Sequence, residues 1–513
     1  MPRYYRPPIT RGDGLLISTA RDFTNGQNNR QRPSILRETE AKTLTNVDLS
    51  LPGSTSRRPG LTLVEDLGAN AIVRLANYDP QGGSANLIAI EGTNLKRWTG
   101  SGSFTSVSTG LTTGLYAGTT QAFKTGVGDI LLVSNGTDNV MELDQSYTFT
   151  DLGDTNTSPP KTTVYTTFRN RAWALKSDLL YFSSAAPSNW ATAFDRTTNV
   201  FRIPVGEERA LAATRDFGII IFGKTQIWAL NPSITPAATD RPEKISDWGC
   251  AAGRTVQQVG DDYFYLAFDG VRGLRRTEQD KLQYGTSLPI SYRLKSEFET
   301  INWSQIHKAC AVTWNNKYIL ALPTAGSSVP NQLWIYYPAT DGWSIVTGWS
   351  VGDMAVFKIS GEERLYIGNG TADGKVFRGW SGASDNSTAI NWVFESRSDD
   401  LGKPAVKKVG GELEVSFKPT GNYDITVYGS FDDGEYQELG TVNVSTGLIT
   451  FPASFPVIFN PENEIRDKFH LDSYGEWFRF RYKLSHNAVT TNADDITFYG
   501  STLTGIESRY YSE

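Results

Sequence analysis

Pairs of short apolar runs separated by a turn recur along the first three quarters of the chain. Residues 261–276, DDYFYLAFDGVRGLRR, show the pattern: an apolar and aromatic run, then Asp-Gly, then a second extended run that ends in Arg275 and Arg276. Asp-Gly between two such runs is typical of a β-hairpin with a type I′ turn, in which both central residues have positive φ. The pattern predicts a β-hairpin over these residues.

Six further stretches have the same pattern, which makes seven copies. Their starts are separated by about 41 to 55 residues, and a repeat of about 40–50 residues is typical of propeller blades. The predicted hairpins start at Ala85, Asp129, Asn170, Phe217, Asp261, Asn316 and Glu363.

Further extended runs flank these hairpins and complete four-stranded units. Runs that precede a hairpin predict inner strands at 71–78, 162–168, 210–215, 255–260 and 309–314, and runs that follow one predict outer strands at 103–108, 146–152 and 341–348. A four-stranded unit has two apolar faces, and stacking the units in a circle buries both faces. Residues 61–385 are therefore predicted to form a β-propeller of about seven blades, with six or eight also possible. The even spacing favours a propeller over a meandering β-sandwich or two sandwiches in tandem.

Recurring tryptophans are expected to pack between the blades rather than to line a ligand site. They are Trp98, Trp173, Trp228 and Trp334.

Both ends of the chain depart from the blade rhythm. Residues 1–60 are basic and rich in Pro and Gly, with one helix-compatible piece at 34–44, and predict an extended N-terminal arm that docks on a partner or stays solvated. Residues 386–513 contain alternating runs such as WFRFRYKL, which are typical of strands with one buried face. They predict a C-terminal β-sandwich, so the expected fold class is all-β throughout.

Composition narrows the choice of partners and compartment. The 513 residues carry a formal net charge of −6, so the chain lacks the positive charge with which proteins bind nucleic acid tightly. Two cysteines, Cys250 and Cys310, are too few for a disulfide framework, and we expect two buried free thiols. The first residues lack the apolar segment of a signal peptide, and no apolar run is long enough to predict a membrane span. We expect folding in a cytoplasm.

Candidate catalytic and metal-binding groups are few and scattered. The three histidines, His307, His470 and His486, lack the spacing of a zinc site. Acidic pairs at 261–262, 399–400, 432–433 and 494–495 are expected to form turns. No nucleophile elbow or phosphate-binding loop occurs in a fitting context. We therefore predict no catalytic residue, no metal site, no cofactor and no enzymatic activity.

Three stretches resemble a known family. They are 35–60, ILRETEAKTLTNVDLSLPGSTSRRPG; 248–276, WGCAAGRTVQQVGDDYFYLAFDGVRGLRR; and 307–344, which includes HKACAVTWNNKYILALP and NQLWIYYPATDGWS. In the order arm, propeller, sandwich, the chain resembles virion proteins of tailed bacteriophages. Within these it is most similar to the tail nozzle or hub of short-tailed phages, which is related to packaged-DNA stabilisation proteins. Unlike bulkier nozzle proteins, it lacks long insertions between the blades.

The resemblance implies a structural virion protein of the phage tail that is assembled in the host cytoplasm. It implies a hexameric ring below the portal and adaptor rings, which extends the DNA channel and anchors fibres, spikes or a needle. Packaged DNA would pass through the lumen without tight binding. Tyr4, Tyr5, Arg57 and Arg58 of the arm are the candidate contacts with neighbouring protein rings.

Two alternatives stay open at the level of sequence. One is a tail-associated carbohydrate-binding or glycan-degrading propeller, since sequence cannot show whether two carboxylates face each other across a cleft. The other is a baseplate or fibre-attachment hub of a long-tailed phage.

Overall fold

Seven antiparallel blades follow one another around a common axis in the described part of the chain, and the sixth is continuous with a larger sheet. The computed structural model describes residues 14–508, except 52, 113, 115, 215–217, 238, 285–286, 419–423, 445–463 and 487–495. The prediction of an all-β fold with a propeller of about seven blades is confirmed.

Blades 1 to 4 each contain four strands, which run in chain order from the axis outwards. The strands are Ile72–Tyr78, Asn86–Glu91, Asn94–Trp98 and Thr105–Ser108 in blade 1; Gly118–Lys124, Gly128–Ser134, Met141–Leu143 and Phe149–Asp151 in blade 2; Val164–Phe168, Arg171–Lys176, Leu179–Phe182 and Val200–Arg202 in blade 3; and Glu208–Thr214, Gly218–Gly223, Ile227–Leu230 and Glu243–Ser246 in blade 4.

Blades 5 to 7 complete the ring and differ from the first four in their outer strands. The strands are Gln257–Val259, Asp262–Ala267 and Gly270–Gly273 in blade 5; Cys310–Trp314, Lys317–Leu322, Gln332–Tyr337 and Gly342–Thr347 in blade 6; and Val351–Ile359, Glu362–Asn369, Lys375–Gly379 and Leu61–Asp66 in blade 7.

Each predicted hairpin supplies the second and third strands of one blade. Ile219, Phe264 and Leu320 lie in the second strands of three successive blades, so the predicted repeat is confirmed at equivalent positions. The turns between first and second strands in blades 3 and 6 have positive φ at both central residues, as in Asn315 and Asn316 with φ of 51° and 56°.

The Asp-Gly hairpin of blade 5 departs from its prediction. Its central turn residues are Phe268 and Asp269, and neither has the positive φ of a type I′ turn. The second extended run does not continue to Arg276. It ends at Gly273, and a helix begins at Leu274. The carboxylate of Asp262 accepts a hydrogen bond from the backbone N–H of Arg275 at 2.8 Å. The backbone N–H groups of a first helical turn have no acceptor within the helix, and Asp262 supplies one.

The ring closes through a strand from the start of the propeller. Leu61–Asp66 precedes blade 1 in sequence but pairs antiparallel with Lys375–Gly379 as the outer strand of blade 7. This pairing covers the edge of the last blade and ties the two ends of the ring together.

Apolar side chains fill the spaces between neighbouring blades. Trp98 packs with Phe357 and Tyr366 between blades 1 and 7, Trp173 and Trp228 lie between blades 3 and 4, and Trp334 lies between blades 5 and 6. The prediction that these tryptophans pack between blades is therefore confirmed. The core between blades 6 and 7 continues into the core of the C-terminal sandwich.

Two sheets form the C-terminal sandwich. One is the outer part of a nine-stranded sheet that begins as blade 6 and continues through Thr43–Thr45, Trp392–Glu395, Phe480–His486, Asp424–Phe431 and Gln437–Asn443. The other has eight strands: Ile465–His470, Glu412–Phe417, Thr497–Glu507, Lys408–Val409, Glu476–Trp477, Leu15–Ala20, Val47–Asp48 and Thr55–Arg57.

The described part of the predicted arm is built into these sheets. Leu15–Ala20 pairs antiparallel with Thr497–Glu507, and Thr43–Thr45 lies between blade 6 and the sandwich. The helix-compatible piece at 34–44 does not form an α-helix, because Glu40–Ala41 pairs in parallel with Gly26–Gln27 and this tertiary pairing overrides helix propensity. The expectation of a docking or solvated arm is wrong for the described residues before Leu61, because their strands pair with strands of the sandwich and of blade 6.

The described helices are short and lie between strands. The α-helices are Leu274–Tyr284 and Lys295–Glu299, and the 3₁₀ helices are Pro33–Ile35, Trp190–Thr192, Gly253–Thr255, Trp303–Lys308 and Asp472–Tyr474. Among the described residues, none of the helices is long and apolar enough to cross a membrane.

Candidate functional site

A cavity of about 210 Å³ lies where the inner strands of the blades converge on the propeller axis. Each of blades 1 to 5 contributes to its wall. The polar and aromatic lining includes Arg74, Tyr116, Thr119, Tyr165, Arg209, Arg254 and Gln257.

β-Bulges occur at the charged positions beside this cavity. The pairing register of the inner strand shifts just before Arg74 in blade 1, around Arg209 in blade 4 and just before Asp353 in blade 7. A bulge adds one unpaired residue, bends its strand and turns nearby side chains in a new direction. These bulges account for charged side chains on strands that are otherwise apolar.

Arg254 connects blade 5 with blade 7. Its Nη2 donates to Asp353 Oδ1 at 2.7 Å and to the carbonyl oxygen of Gly352 at 2.5 Å, and its guanidinium carbon lies 4.2 Å from the ring centre of Tyr116. Burial lowers the pKa of Arg254, but the neighbouring carboxylate of Asp353 and other nearby groups together raise it by more. The net pKa therefore lies above the ordinary value. Arg254 therefore stays charged in this site.

Asp353 is the carboxylate at the base of the cluster, with 4% of its side chain exposed. Its Oδ2 accepts the backbone N–H of Leu75 at 2.9 Å and lies 3.4 Å from Nη1 of Arg74. Asp353 thus joins blades 1, 5 and 7 through one side chain.

A glycine next to Asp353 permits the close approach of blades 1 and 7. A Cβ atom at Gly352 would lie 2.1 Å from the carbonyl oxygen of Ile72, far inside van der Waals contact. The backbone at this point of the ring therefore requires glycine.

The two arginines predicted to contact a partner, Arg57 and Arg58, are buried inside the chain. Arg58 is buried inside the chain, where its guanidinium pairs with Asp385 and lies 4.5 Å from the ring centre of Trp349. Arg57 is buried as well. Burial within the chain contradicts both predictions of a partner contact. Arg57 ends a strand of the sandwich sheet, and Arg58 is enclosed by its ion pair with Asp385. Tyr4 and Tyr5 lie outside the described residues.

A second buried ion pair lies near Arg58. Asp48 Oδ1 is 3.3 Å from Nζ of Lys317 and accepts the hydroxyl of Tyr337 at 3.0 Å. The ammonium of Lys317 also lies 5.2 Å from the ring centre of Tyr337 and 5.6 Å from that of Trp380. This group joins the N-terminal segment to blade 6 and to the end of blade 7.

The histidines and acidic pairs do not assemble into a metal-binding group in the described part of the chain. No group of three His, Cys, Asp or Glu side chains that could hold a metal ion occurs there. The ring of His486 is hydrogen-bonded to the carbonyl oxygen of Asp424 at 2.9 Å, and burial lowers its pKa. Asp432 and Asp433 have φ of 53° and 62° and form a hairpin turn, and 494–495 lie outside the described residues.

Sequence reasoning missed the axial arginines and Asp353. Arg74 gave one weak signal, since it interrupts the apolar inner strand IVRLANY. Arg254 and Asp353 lie 99 residues apart, and no local pattern connects them.

Comparisons with known proteins concern the fold. No family model and no curated protein matches the sequence. Among solved structures, BBS1N in complex with ARL6DN shares 11% identity over 63% of this chain and 97% of its own, with a TM-score of 0.37. The WD40 β-propeller domain of Doa1 shares 8% identity over 63% of this chain and 96% of its own, with a TM-score of 0.38.

PorZ of the type-IX secretion system of Porphyromonas gingivalis covers more of the chain. It shares 11% identity over 85% of this chain and 60% of its own, with a TM-score of 0.40. At these similarities, the neighbours indicate nothing about function, and the propeller assignment rests on the seven blades of the chain itself.

Proposed function

We propose that this chain is a structural protein of a bacteriophage tail, the nozzle or hub of a short-tailed phage. The observation that carries the proposal is the continuous nine-stranded sheet that joins blade 6 to the sandwich. The buried pairs Arg58–Asp385 and Lys317–Asp48 reinforce the same junction. A tail component must hold its partners in fixed positions while DNA passes, and such a junction supports that role.

The sequence resemblance supplies the specific part of the proposal. The stretches at 35–60, 248–276 and 307–344 suggest a hexameric ring below the portal and adaptor rings, with fibres, spikes or a needle attached. The proposed location is the virion tail.

Packaged DNA would pass between copies of the chain rather than through one propeller. The axial cavity measures about 210 Å³ and Arg254 extends across it, so duplex DNA does not fit. A net charge of −6 favours a lumen that holds DNA weakly, because few phosphate contacts means little counterion release on binding.

Electron microscopy and mass measurement of tails that contain this chain test the ring. We expect six copies arranged around the tail axis. A single copy per tail, or a location outside the tail, contradicts the proposal.

DNA binding and catalysis are tested on the purified full chain. We expect duplex DNA affinity no tighter than about 10⁻⁶ M at physiological salt. Nanomolar, strongly salt-dependent binding contradicts the weakly interacting lumen. Release of sugars from host polysaccharide, abolished by one Asp or Glu substitution, would favour the glycan-degrading alternative instead.

A further inference from the structure

The cavity on the propeller axis carries an excess of positive charge that the proposed structural role does not use. Arg74, Arg209 and Arg254 line it, and none of its described lining residues is Asp or Glu. Asp353 lies beside the cluster and pairs with two of these arginines. Glu207 pairs with Arg209 at 2.5 Å, but 47% of its side chain is exposed, so solvent screens this charge.

Some hydrogen-bond donors of the cluster lack acceptors. Nε and Nη1 of Arg254 and Nε of Arg209 are buried and have no hydrogen-bond partner in the part of the chain that the structure describes. Buried N–H groups are usually hydrogen-bonded, and guanidinium groups favour the paired oxygens of phosphates and carboxylates. An anion in the cavity would add negative charge and acceptor oxygens where both are deficient.

We propose that the axial cavity binds the phosphate or carboxylate group of a free small molecule. The volume of about 210 Å³ admits a small ligand. Arg74 and Arg209 supply charge from opposite sides of the ring, and Arg254 is held between them by Asp353. The rings of Tyr116 and Tyr165 supply apolar wall. Thr119, whose hydroxyl oxygen accepts from Arg74 at 2.7 Å, and Gln257 are neutral polar residues of the same wall. This site does not depend on the assignment to a phage tail.

Isothermal titration calorimetry of the purified full chain tests the site, with inorganic phosphate and citrate as separate probes. We expect saturable binding of at least one probe with one site per chain. The probe that binds more tightly distinguishes phosphate from carboxylate as the preferred group.

Arg209→Gln is the main variant, because the side-chain partner of Arg209 is the exposed Glu207 and the fold should tolerate the change. We expect affinity at least about tenfold weaker, the loss that one charge-assisted hydrogen bond represents. Arg364→Gln is the matched control, since Arg364 pairs with Glu362 two residues away, as Arg209 does with Glu207, but lies outside the cavity. This control should bind like the parent chain.

Arg254→Gln is a second variant and should abolish binding if circular dichroism shows that it folds. Should it fail to fold, Arg209→Gln decides alone. Absence of saturable binding of either probe, or equal affinity of Arg209→Gln and the parent chain, overturns the proposal.

Discussion

The guanidinium of Arg58 and the carboxylate of Asp385 form a bidentate pair at 2.8 and 2.7 Å, although 327 residues separate them in sequence. The remaining N–H groups of Arg58 donate to the side chain of Asn46 and to the carbonyl oxygens of Pro59 and Thr347. All five donors of a fully buried guanidinium are thus matched. The pair ties the segment before the propeller to the segment that follows it.

Arg58→Gln should destabilise the chain by about 3–5 kcal/mol, because it leaves the carboxylate of Asp385 buried without its cation. The measurement is urea unfolding followed by tryptophan fluorescence, with the unfolding midpoint as the readout. Arg466→Gln is the control: Arg466 and Glu464 form an exposed pair at 2.9 Å, and its loss should cost less than about 1 kcal/mol. Equal shifts in the two variants would show that burial of the first pair is unimportant.

Leu320→Ala should cost about 2–5 kcal/mol, because Leu320 is fully buried between blades 5 and 6 and truncation leaves a cavity. Leu288→Ala makes the same chemical change at a side chain that is 59% exposed, and should cost less than about 0.5 kcal/mol. Urea unfolding midpoints of both variants provide the comparison. If Leu320→Ala cost less than about 0.5 kcal/mol, Leu320 would not be part of the core.

Stability should fall in acid partly through Asp48. Burial raises the pKa of Asp48, but Lys317 and the hydroxyls of Ser50 and Tyr337 together bring it below the ordinary value. A carboxyl group with a lowered folded-state pKa contributes stability above its unfolded-state pKa of about 3.9. This contribution is lost as the pH falls through the folded-state pKa.

Asp48→Asn should therefore be less stable than the parent chain at neutral pH and should show a shallower loss of stability below about pH 4. Thermal unfolding between neutral pH and the acid limit of solubility measures both effects. Parallel stability curves for the two proteins would exclude Asp48 as a source of acid sensitivity.

Both cysteine thiols should resist modification in the native chain. Cys250 and Cys310 are free and buried, as the sequence predicted, and burial raises the pKa of each to about 12. At pH 8 only about one thiol in ten thousand would be a thiolate. A colorimetric disulfide reagent should report no reactive thiol in the native chain and two after denaturation. Rapid reaction of either thiol before denaturation would contradict its burial.

Local pattern was sufficient to locate the blades. Each hairpin, such as Lys317–Leu322 with the Asn315–Asn316 turn before it, contains its own apolar run and its own turn residues. Because adjacent strands of a blade are neighbours in sequence, their pairing needs only short-range information. The recurrence of about seven such units then indicated the ring.

The end of the Asp-Gly hairpin shows where local pattern failed. Leu274–Tyr284 starts directly after Gly273, and the capping carboxylate of Asp262 comes from the previous strand of the blade. The sequence predicted an extended run up to Arg276, and a partner more than ten residues away stabilises a helix there instead.

The sequence by itself thus determined the all-β class, the hairpins, the tryptophan packing between blades and the burial of both thiols. Tertiary structure alone decided the partners of Arg58 and Arg254, the bulges beside the axial cavity and the merging of the N-terminal segment with the sandwich. These features join residues that are far apart in sequence, such as Arg58 and Asp385, which are separated by 327 positions. Hydrophobic periodicity reports which face of a strand is buried, but a charged side chain acquires its partner only when the ring closes.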